Sequence, residues 1–256
     1  MANRVLDRDS RPASSHGSTS ALASLQGREG PDDSGRSKIV YRLDESSCLV
    51  QLVPTLSSFT HQRHEIVPGT AEIRLDFFEA AAGKLARHGV RTVFRERVSD
   101  TAYLADWCPY LPFETIVKNV ACGSTIRKYP GLFDPGHRFP QPVVKFDYRI
   151  DPEDQPLPDD YVGALGHRVD VLRRIALDVN RCLQEWLEPL VVLDFCLIFG
   201  IDDASEYTIV SEISPDAMRI RDGNGAPLDK DLFREGAGAD AICSCWRSLV
   251  DAVRSK

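Results

Sequence analysis

The stretch FETIVKNVACGSTIRKYPG, residues 113–131, combines strand-forming residues with a small-residue turn and a basic end. Its first half predicts a strand that enters a turn at Cys122-Gly123-Ser124. Glycine lets a backbone approach a ligand closely, and serine offers both a hydroxyl and a backbone N–H. With Lys118 before the turn, the stretch indicates an anion site. A plain Gly-Ser turn after a strand is the alternative.

The flanking segments predict an α+β fold whose antiparallel strands come first and whose larger helical part follows. Two apolar runs, 38–43 and 48–53, predict a hairpin. Apolar side chains at helical spacing predict two helices, one stopping near Gly89 and one ended by Pro189. Other strands are predicted over 90–99, 142–150, 191–200 and 207–214. In the segment 191–200, alternation places Leu193, Phe195, Leu197 and Phe199 on one face and Asp194, Cys196 and Ile198 on the other.

Composition divides the chain into three parts. Residues 1–36 are rich in Ser, Gly, Arg and Asp without periodicity, which predicts a disordered tail. We expect a β-rich N-terminal lobe over 37–112 and a larger α+β lobe over 113–256.

Charge and cysteine content exclude several functional classes. The chain of 256 residues carries a net charge of −7, which argues against a nucleic-acid partner. No apolar run approaches the roughly 20 residues of a membrane span, and the N-terminus lacks the apolar core of a secretory signal. The 7 cysteines contain no C-x-x-C pair, which favours reduced thiols over zinc. We expect a cytoplasmic protein with a small-molecule substrate.

Six segments together resemble the SAICAR synthetase family in order and spacing. They are GRSKIVY (35–41), PFETIVKNVACGS (112–124), KFDYRIDP (145–152), VLDFCLIFG (192–200), SEISPDAMR (211–219) and DKDLFR (229–234). The resemblance implies a two-lobe α+β fold with ATP in the cleft between the lobes. It also implies a ligase that activates a carboxylate by phosphoryl transfer from ATP with Mg²⁺, after which an amine attacks. Family members often associate, so a homo-oligomer is an open alternative.

The resemblance also implies roles for individual residues. Lys118, Asn119 and Ser124 correspond to the segment that meets the phosphorylated ribotide, and Arg219 to a second residue that reaches its phosphate. The remaining matches are Lys38 beneath the ATP phosphates, Glu114 near the nucleotide, and Lys145, Asp194 and Glu212 as catalytic residues, with Asp147 and Asp151 keeping the family spacing around Lys145.

Several family residues are replaced in this chain. Cys196 stands where the family has a lysine, and Ile198 and Ser211 stand where it has metal-binding acids. The two aspartates of an upstream family motif become Pro54 and Thr60. Isoleucine is no ligand for Mg²⁺, which prefers carboxylate oxygens. The metal ligands are therefore unknown, although a bulge could let Glu212 and neighbouring acids rebuild a site.

Three functional hypotheses follow. The first is a diverged ATP-dependent ligase of specialised (secondary) metabolism that forms an amide from a carboxylate and an amine, with standard SAICAR synthesis disfavoured. The second is an ATP-independent enzyme with a more apolar cleft, using Glu114, Asp194 or Glu212 as an acid–base group or Cys196 as a nucleophile. The third is a pseudoenzyme that binds a ligand without turnover.

Overall fold

The computed structural model describes residues 30–254. Most of the predicted disordered tail, residues 1–29, therefore lies outside the described residues. The tail boundary itself differs from the prediction, because Asp33–Ser34 already pair with Ile39 and Val40 in a first short strand. No helix within residues 30–254 is long and apolar enough to cross a membrane.

The N-terminal half forms an antiparallel five-stranded sheet. The order is β1-β2-β3-β7-β6, with β1 at Asp33–Ser34, β2 at Lys38–Arg42, β3 at Ser47–Leu52, β6 at Phe94–Arg97 and β7 at Ala102–Asp106. The predicted hairpin is confirmed as β2–β3, with Val40 opposite Val50. A second hairpin, β4 (Thr55–Ser58) and β5 (Arg63–Ile66), encloses a short 3-10 helix at Phe59–His61.

The first long helix, α1, spans Thr70–Arg87 and packs against the last helix, α6, at Ala239–Arg254. The apolar side chains at helical spacing in this helix are fully buried, as Ile73, Phe77, Ala81 and Leu85 are each 0% exposed. Gly89 follows the helix with a φ of 73°, as expected for a helix stop.

A second antiparallel sheet carries the C-terminal half. Its order is β10-β9-β8-β11-β14, with β8 at Phe113–Val120, β9 at Arg138–Tyr148, β10 at Gln155–Leu157, β11 at Val191–Leu197 and β14 at Met218–Arg221. The helix α4, Val169–Leu187, covers β8, β9 and β11 with its apolar stripe. Shorter helices are α2 at Ser124–Lys128, α3 at Asp159–Ala164 and α5 at Asp231–Arg234. Apolar side chains of both sheets and of α1, α4 and α6 join in one continuous core.

The strand predicted over 191–200 is interrupted. A bulge between Val192 and Asp194 shifts the register, so Leu193 is only half-buried and the prediction that it shares the face of Phe195 is wrong. After Leu197 the chain starts a new strand, β12 (Phe199–Ile201), which pairs with β13 (Tyr207–Ile209). The strand predicted over 207–214 therefore ends early, and Ser211 to Ser214 leave the ladder.

Candidate functional site

A polar cleft of about 1230 Å³ lies between the two sheets. The β1–β2 turn, the tip of the β4–β5 hairpin and Lys38 form one wall. The opposite wall comes from β8, β11 and the segments 149–154 and 211–219, with α2 closing one end. Along β8, Glu114, Ile116 and Lys118 face the cleft at every second position, as strand geometry requires.

The registers of β8, β11 and β14 place three charged residues in one row at the α2 end of the cleft. Asp194 is paired with Lys118 on one side and with Arg219 on the other. Lys118 Nζ lies 2.8 Å from Asp194 Oδ2, and Arg219 Nη1 donates to both carboxylate oxygens at 3.1 and 2.8 Å. Burial disfavours the charged carboxylate, but the two cations outweigh it, so the pKa of Asp194 is lowered. The row therefore consists of two cations, Lys118 and Arg219, that share the carboxylate of Asp194 as their counterion.

The small-residue turn of the opening stretch packs against this row. Gly123 has a φ of 55°, and a Cβ built on it would lie 2.5 Å from Nη2 of Arg219. Cys122 Sγ is within 3.4 Å of Asp194 Oδ2. Gly123 and Ser124 line the cleft beside Arg219. The turn therefore needs glycine for two reasons: its backbone conformation, and the close approach of the guanidinium group.

Asn119 has a different placement from the one the resemblance implied. Its amide exchanges two hydrogen bonds with Asn180 of α4, at 2.8 and 2.9 Å, and donates another to the Val192 carbonyl at 3.0 Å. Alternation along β8 turns it away from the face that carries Lys118. Asn119 ties the strand to the helix, and it is not among the residues that line the cleft. A direct contact with a bound substrate is therefore not supported.

Glu114 and Asp147 are cross-strand neighbours in the middle of the cleft. Burial, followed by the charge of Asp154, raises the pKa of Glu114 to about 7. Lys145 forms an ion pair with Asp147 and is not itself a cleft-lining residue. Burial lowers the pKa of Lys145 even though Asp147 opposes this shift. The structure therefore brings Glu114 and Asp147 to the cleft and sets Lys145 behind them.

Glu212 lies on the cleft wall and is held by a buried arginine that the sequence analysis missed. Arg74 of α1 is 0% exposed, and it donates to the two Glu212 carboxylate oxygens at 2.6 and 2.8 Å. Ser214 Oγ lies 2.9 Å from Glu212 Oε1. A catalytic Glu212 would therefore have to act while ion-paired. No local pattern singles out Arg74, because its partner is 138 residues away in the chain.

Ile198 and Ser211 also line the cleft and are bonded to each other. The Ile198 N–H donates to Ser211 Oγ at 2.9 Å. Among the described residues, no group of three or more His, Cys, Asp or Glu side chains could hold a metal ion. Asp216, another acid that lines the cleft, forms an ion pair with Lys230 at 2.8 Å. The described residues therefore offer no site in which three or more such side chains would hold a Mg²⁺ ion.

The thiol of Cys196 is poorly suited to nucleophilic attack. Burial, followed by the charge of Glu114, raises its pKa well above the ordinary value. Its Sγ lies 3.5 Å from the Ala217 carbonyl oxygen.

The hairpin tip adds polar residues to the cleft that the sequence analysis did not assign. His61 Nδ1 lies 3.0 Å from the hydroxyls of both Ser58 and Thr60. Thr60, where the resemblance implied an aspartate, contributes a neutral hydroxyl to the cleft. Arg63 anchors this hairpin to the C-terminal half, because its guanidinium lies 4.2 Å from the Phe233 ring centroid and donates to the Ala237 carbonyl at 3.0 Å.

The chain is an α+β protein with two antiparallel sheets and a cleft between them that is lined by charged side chains. The chain belongs, more narrowly, to the SAICAR synthetase family, whose model matches residues 33–247.

Relatives and solved structures agree with this assignment. Phosphoribosylaminoimidazole-succinocarboxamide synthase of Methanocaldococcus jannaschii is 32% identical over 217 residues, covering 80% of this chain and 87% of the relative. The enzyme of the same name from Staphylococcus carnosus is 29% identical over 230 residues, covering 86% and 97%. A type-2 SAICAR synthetase in complex with ADP superposes with a TM-score of 0.80 at 24% identity, covering 88% of this chain and 97% of the other, which shows the shared fold. The predicted family and α+β fold are therefore confirmed.

Proposed function

We propose that this protein is an ATP-dependent ligase that forms an amide between a carboxylate and an amine, with a phosphate group on one substrate. The observation that carries this proposal is the row Lys118–Asp194–Arg219 beside the Gly123-Ser124 turn. Membership of the SAICAR synthetase family supports the reaction type. The substrates are small molecules that fit a cleft of about 1230 Å³.

The cations of the row suit a phosphate that arrives from the cleft. Lys118 is 2% exposed and Arg219 only half-buried, so the guanidinium is the more accessible of the two. A phosphate would take up donors of Arg219 and the Ser124 hydroxyl while Asp194 keeps Lys118 in place. Before the substrate binds, Asp194 thus serves as the counterion of both cations.

The nucleotide would occupy the other part of the cleft. Lys38 and Glu114 line that part, and Lys38 can meet a phosphate as a point charge. The chemistry supplied by ATP is phosphorylation of the carboxylate, which turns a poor acyl donor into a good one. The chain's own residues orient the two substrates, and Glu114, with a pKa of about 7, can accept a proton from the attacking amine.

We further propose that the protein serves a specialised biosynthetic pathway and not standard SAICAR synthesis. The support is the neutral contact between Ile198 and Ser211, at two positions where the resemblance implies acids. The hydroxyls of Ser58 and Thr60 support the same view, because they give the hairpin tip a neutral surface.

Thermal unfolding of the full chain with ATP, and an assay of ADP release with acid–amine pairs, test the proposal. ATP at about 100 times its Kd should add about 2.7 kcal/mol to the free energy of unfolding. ADP release should require an acid and an amine together, and carboxyaminoimidazole ribotide with aspartate should be a poor pair. No stabilisation by ATP would overturn the ligase proposal. Efficient turnover of the ribotide with aspartate would overturn the specialised role alone.

One observation favours a second candidate, an ATP-independent enzyme. Glu114 carries a pKa near neutrality inside the cleft, a property expected of a general acid or base whatever the second substrate is. This candidate predicts no effect of ATP on unfolding, together with turnover that is lost in Glu114→Gln.

A further inference from the structure

Phosphoryl transfer requires that the negative charge of a nucleotide's phosphates be neutralised, and proteins commonly do so with Mg²⁺ held by carboxylates. We infer that this chain binds its nucleotide without a carboxylate-held divalent ion, using Lys38 as the phosphate contact and Arg74 to cancel the charge of Glu212. The inference rests on the proposed function, since it concerns the nucleotide of that reaction.

Three acids that line the cleft, Asp194, Glu212 and Asp216, are already ion-paired. Asp194 is held by Lys118 and Arg219, and Asp216 by Lys230. Glu212 is held by Arg74, which is fully buried. A divalent ion would have to displace at least one of these cations and leave it buried without its partner, which is strongly unfavourable.

The guanidinium group of Arg74 is held by both a carboxylate and backbone carbonyls. Besides its two bonds to Glu212, its guanidinium donates to the carbonyls of Val53 and Ser37, at 3.0 and 3.2 Å. These carbonyls belong to the end of the β2–β3 hairpin, and Ser37 immediately precedes Lys38. Arg74 is therefore fixed in both position and charge. It cancels the carboxylate that would otherwise repel a phosphate and holds the backbone from which Lys38 extends, which makes it a positioning residue.

Lys38 lines the cleft on the same wall. Its ammonium group forms no hydrogen bond or ion pair with another of the described residues. Burial lowers the pKa of Lys38, and among the charged groups around it Glu212 and Asp33 favour the cation whereas Arg149 and Arg74 oppose it. With the charge of Glu212 balanced by Arg74, the ammonium group of Lys38 is available for a phosphate oxygen.

The contact between Ile198 and Ser211 on the cleft wall involves no charged group. The Ser211 hydroxyl accepts the Ile198 N–H, and the Ile198 carbonyl accepts the N–H of Val210 at 2.9 Å. These two hydrogen bonds close the strand end beside the cleft. An isoleucine side chain and an occupied hydroxyl give this surface no hard anionic ligand for a divalent ion.

Calorimetric titration of the full chain with ADP, in excess Mg²⁺ and in EDTA, tests the inference. We expect dissociation constants that agree within about threefold between the two conditions. ADP binding at least about tenfold tighter with Mg²⁺ would overturn the inference and leave the proposed function standing. ADP binding in neither condition would overturn the proposed function, and the inference with it.

Charge variants test the roles of Lys38 and Arg74 in the same titration. Lys38→Met should weaken ADP binding in EDTA by about tenfold or more, as expected for the loss of a charged contact. Arg74→Met should also weaken ADP binding, because it leaves the negative charge of Glu212 without its counterion. Adding Glu212→Gln to Arg74→Met should restore most of the lost affinity, which a merely structural role of Arg74 would not do. Failure of this restoration in a folded double variant, verified by circular dichroism, would overturn the role of Arg74.

Discussion

Arg219 Nη1 contacts both oxygens of the Asp194 carboxylate, at 3.1 and 2.8 Å, across the β11–β14 register. Lys118 approaches the same carboxylate from β8 at 2.8 Å. The sheet therefore places two cations around one anion at the end of the cleft. In the proposed function a phosphate would compete with Asp194 for Arg219, so the same contact would serve both the fold and the substrate site.

Asp194→Asn should destabilise the fold strongly. The change leaves Lys118, 2% exposed, with a buried charge and no anion, at a cost of about 3–5 kcal/mol. Urea unfolding followed by circular dichroism measures this difference. Asp178→Asn, which removes an ion pair with Arg181 on the outer face of α4, is the control and should change stability by less than about 1 kcal/mol. Equal effects of the two changes would contradict the buried-pair interpretation.

Glu114→Gln should alter the pH dependence of stability. The pKa of Glu114 is raised from 4.5 to about 7 in the folded protein. The native state therefore keeps a proton that the unfolded chain already loses at lower pH. The free energy of unfolding of the wild type should therefore fall between about pH 4.5 and pH 7, by up to about 3 kcal/mol from this group. Glu114→Gln should lack that fall.

The measurement for Glu114 is urea unfolding at several pH values between 4 and 8, with the two proteins compared at each pH. The difference between the proteins cancels the titration of other groups. Glu185→Gln, at an exposed carboxyl on α4, is the matched control and should run parallel to the wild type. A constant difference between Glu114→Gln and the wild type would contradict the shifted pKa.

Gly123→Ala should be more harmful than Gly131→Ala. Both glycines have positive φ, 55° and 79°, so both substitutions carry a backbone penalty of about 1–2 kcal/mol. Only at position 123 would the new Cβ meet the Arg219 guanidinium, whereas nothing lies within 4 Å at position 131. We expect a further loss of about 1–3 kcal/mol from that collision. Thermal unfolding measures it, and equal losses would show that Arg219 moves aside freely.

Parts of the site could be predicted from the sequence because their signals are local. Lys118, Gly123 and Ser124 lie within one short stretch, and strand and turn preferences alone place them together. Asn119 shows the limit of a motif read without its geometry: it is adjacent to Lys118, yet alternation turns it to α4. The two-residue period of a strand places Asn119 on the face opposite to that of Lys118.

Other features depend on contacts that no local pattern carries. The pairing of Arg74 with Glu212 joins residues 138 positions apart, and an arginine in an otherwise amphipathic helix gives no sign of burial. The bulge beside Leu193 arises from the register between β11 and β14, which is set by the sheet and not by the strand's own composition. Both exceptions lie within or next to the cleft, where local and tertiary preferences differ.

Cys196→Ala should leave ADP binding and any amide-forming turnover close to wild type. The thiol has a pKa raised well above its ordinary value by burial, so little thiolate exists near neutral pH. Mass spectrometry after brief iodoacetamide treatment of the folded protein should find Cys196 unmodified. Alkylation of Cys196 that removes turnover, together with an inactive Cys196→Ala, would support the nucleophile hypothesis instead.

The double substitution Ile198→Glu/Ser211→Asp should make ADP binding depend on Mg²⁺. Two carboxylates at the Ile198–Ser211 contact would supply hard oxygen ligands beside the cleft, and without metal they would repel a phosphate. In EDTA the double variant should therefore bind ADP at least about tenfold more weakly than the wild type, a difference of about 1.4 kcal/mol, and Mg²⁺ should restore the affinity. Ile198→Gln/Ser211→Asn, similar in size but uncharged, is the control and should show no dependence on Mg²⁺. Calorimetric titration measures all three proteins under both conditions. If the acidic variant responds to Mg²⁺ no more than the uncharged one, this surface does not lie close enough to the nucleotide's phosphates to have been a metal site.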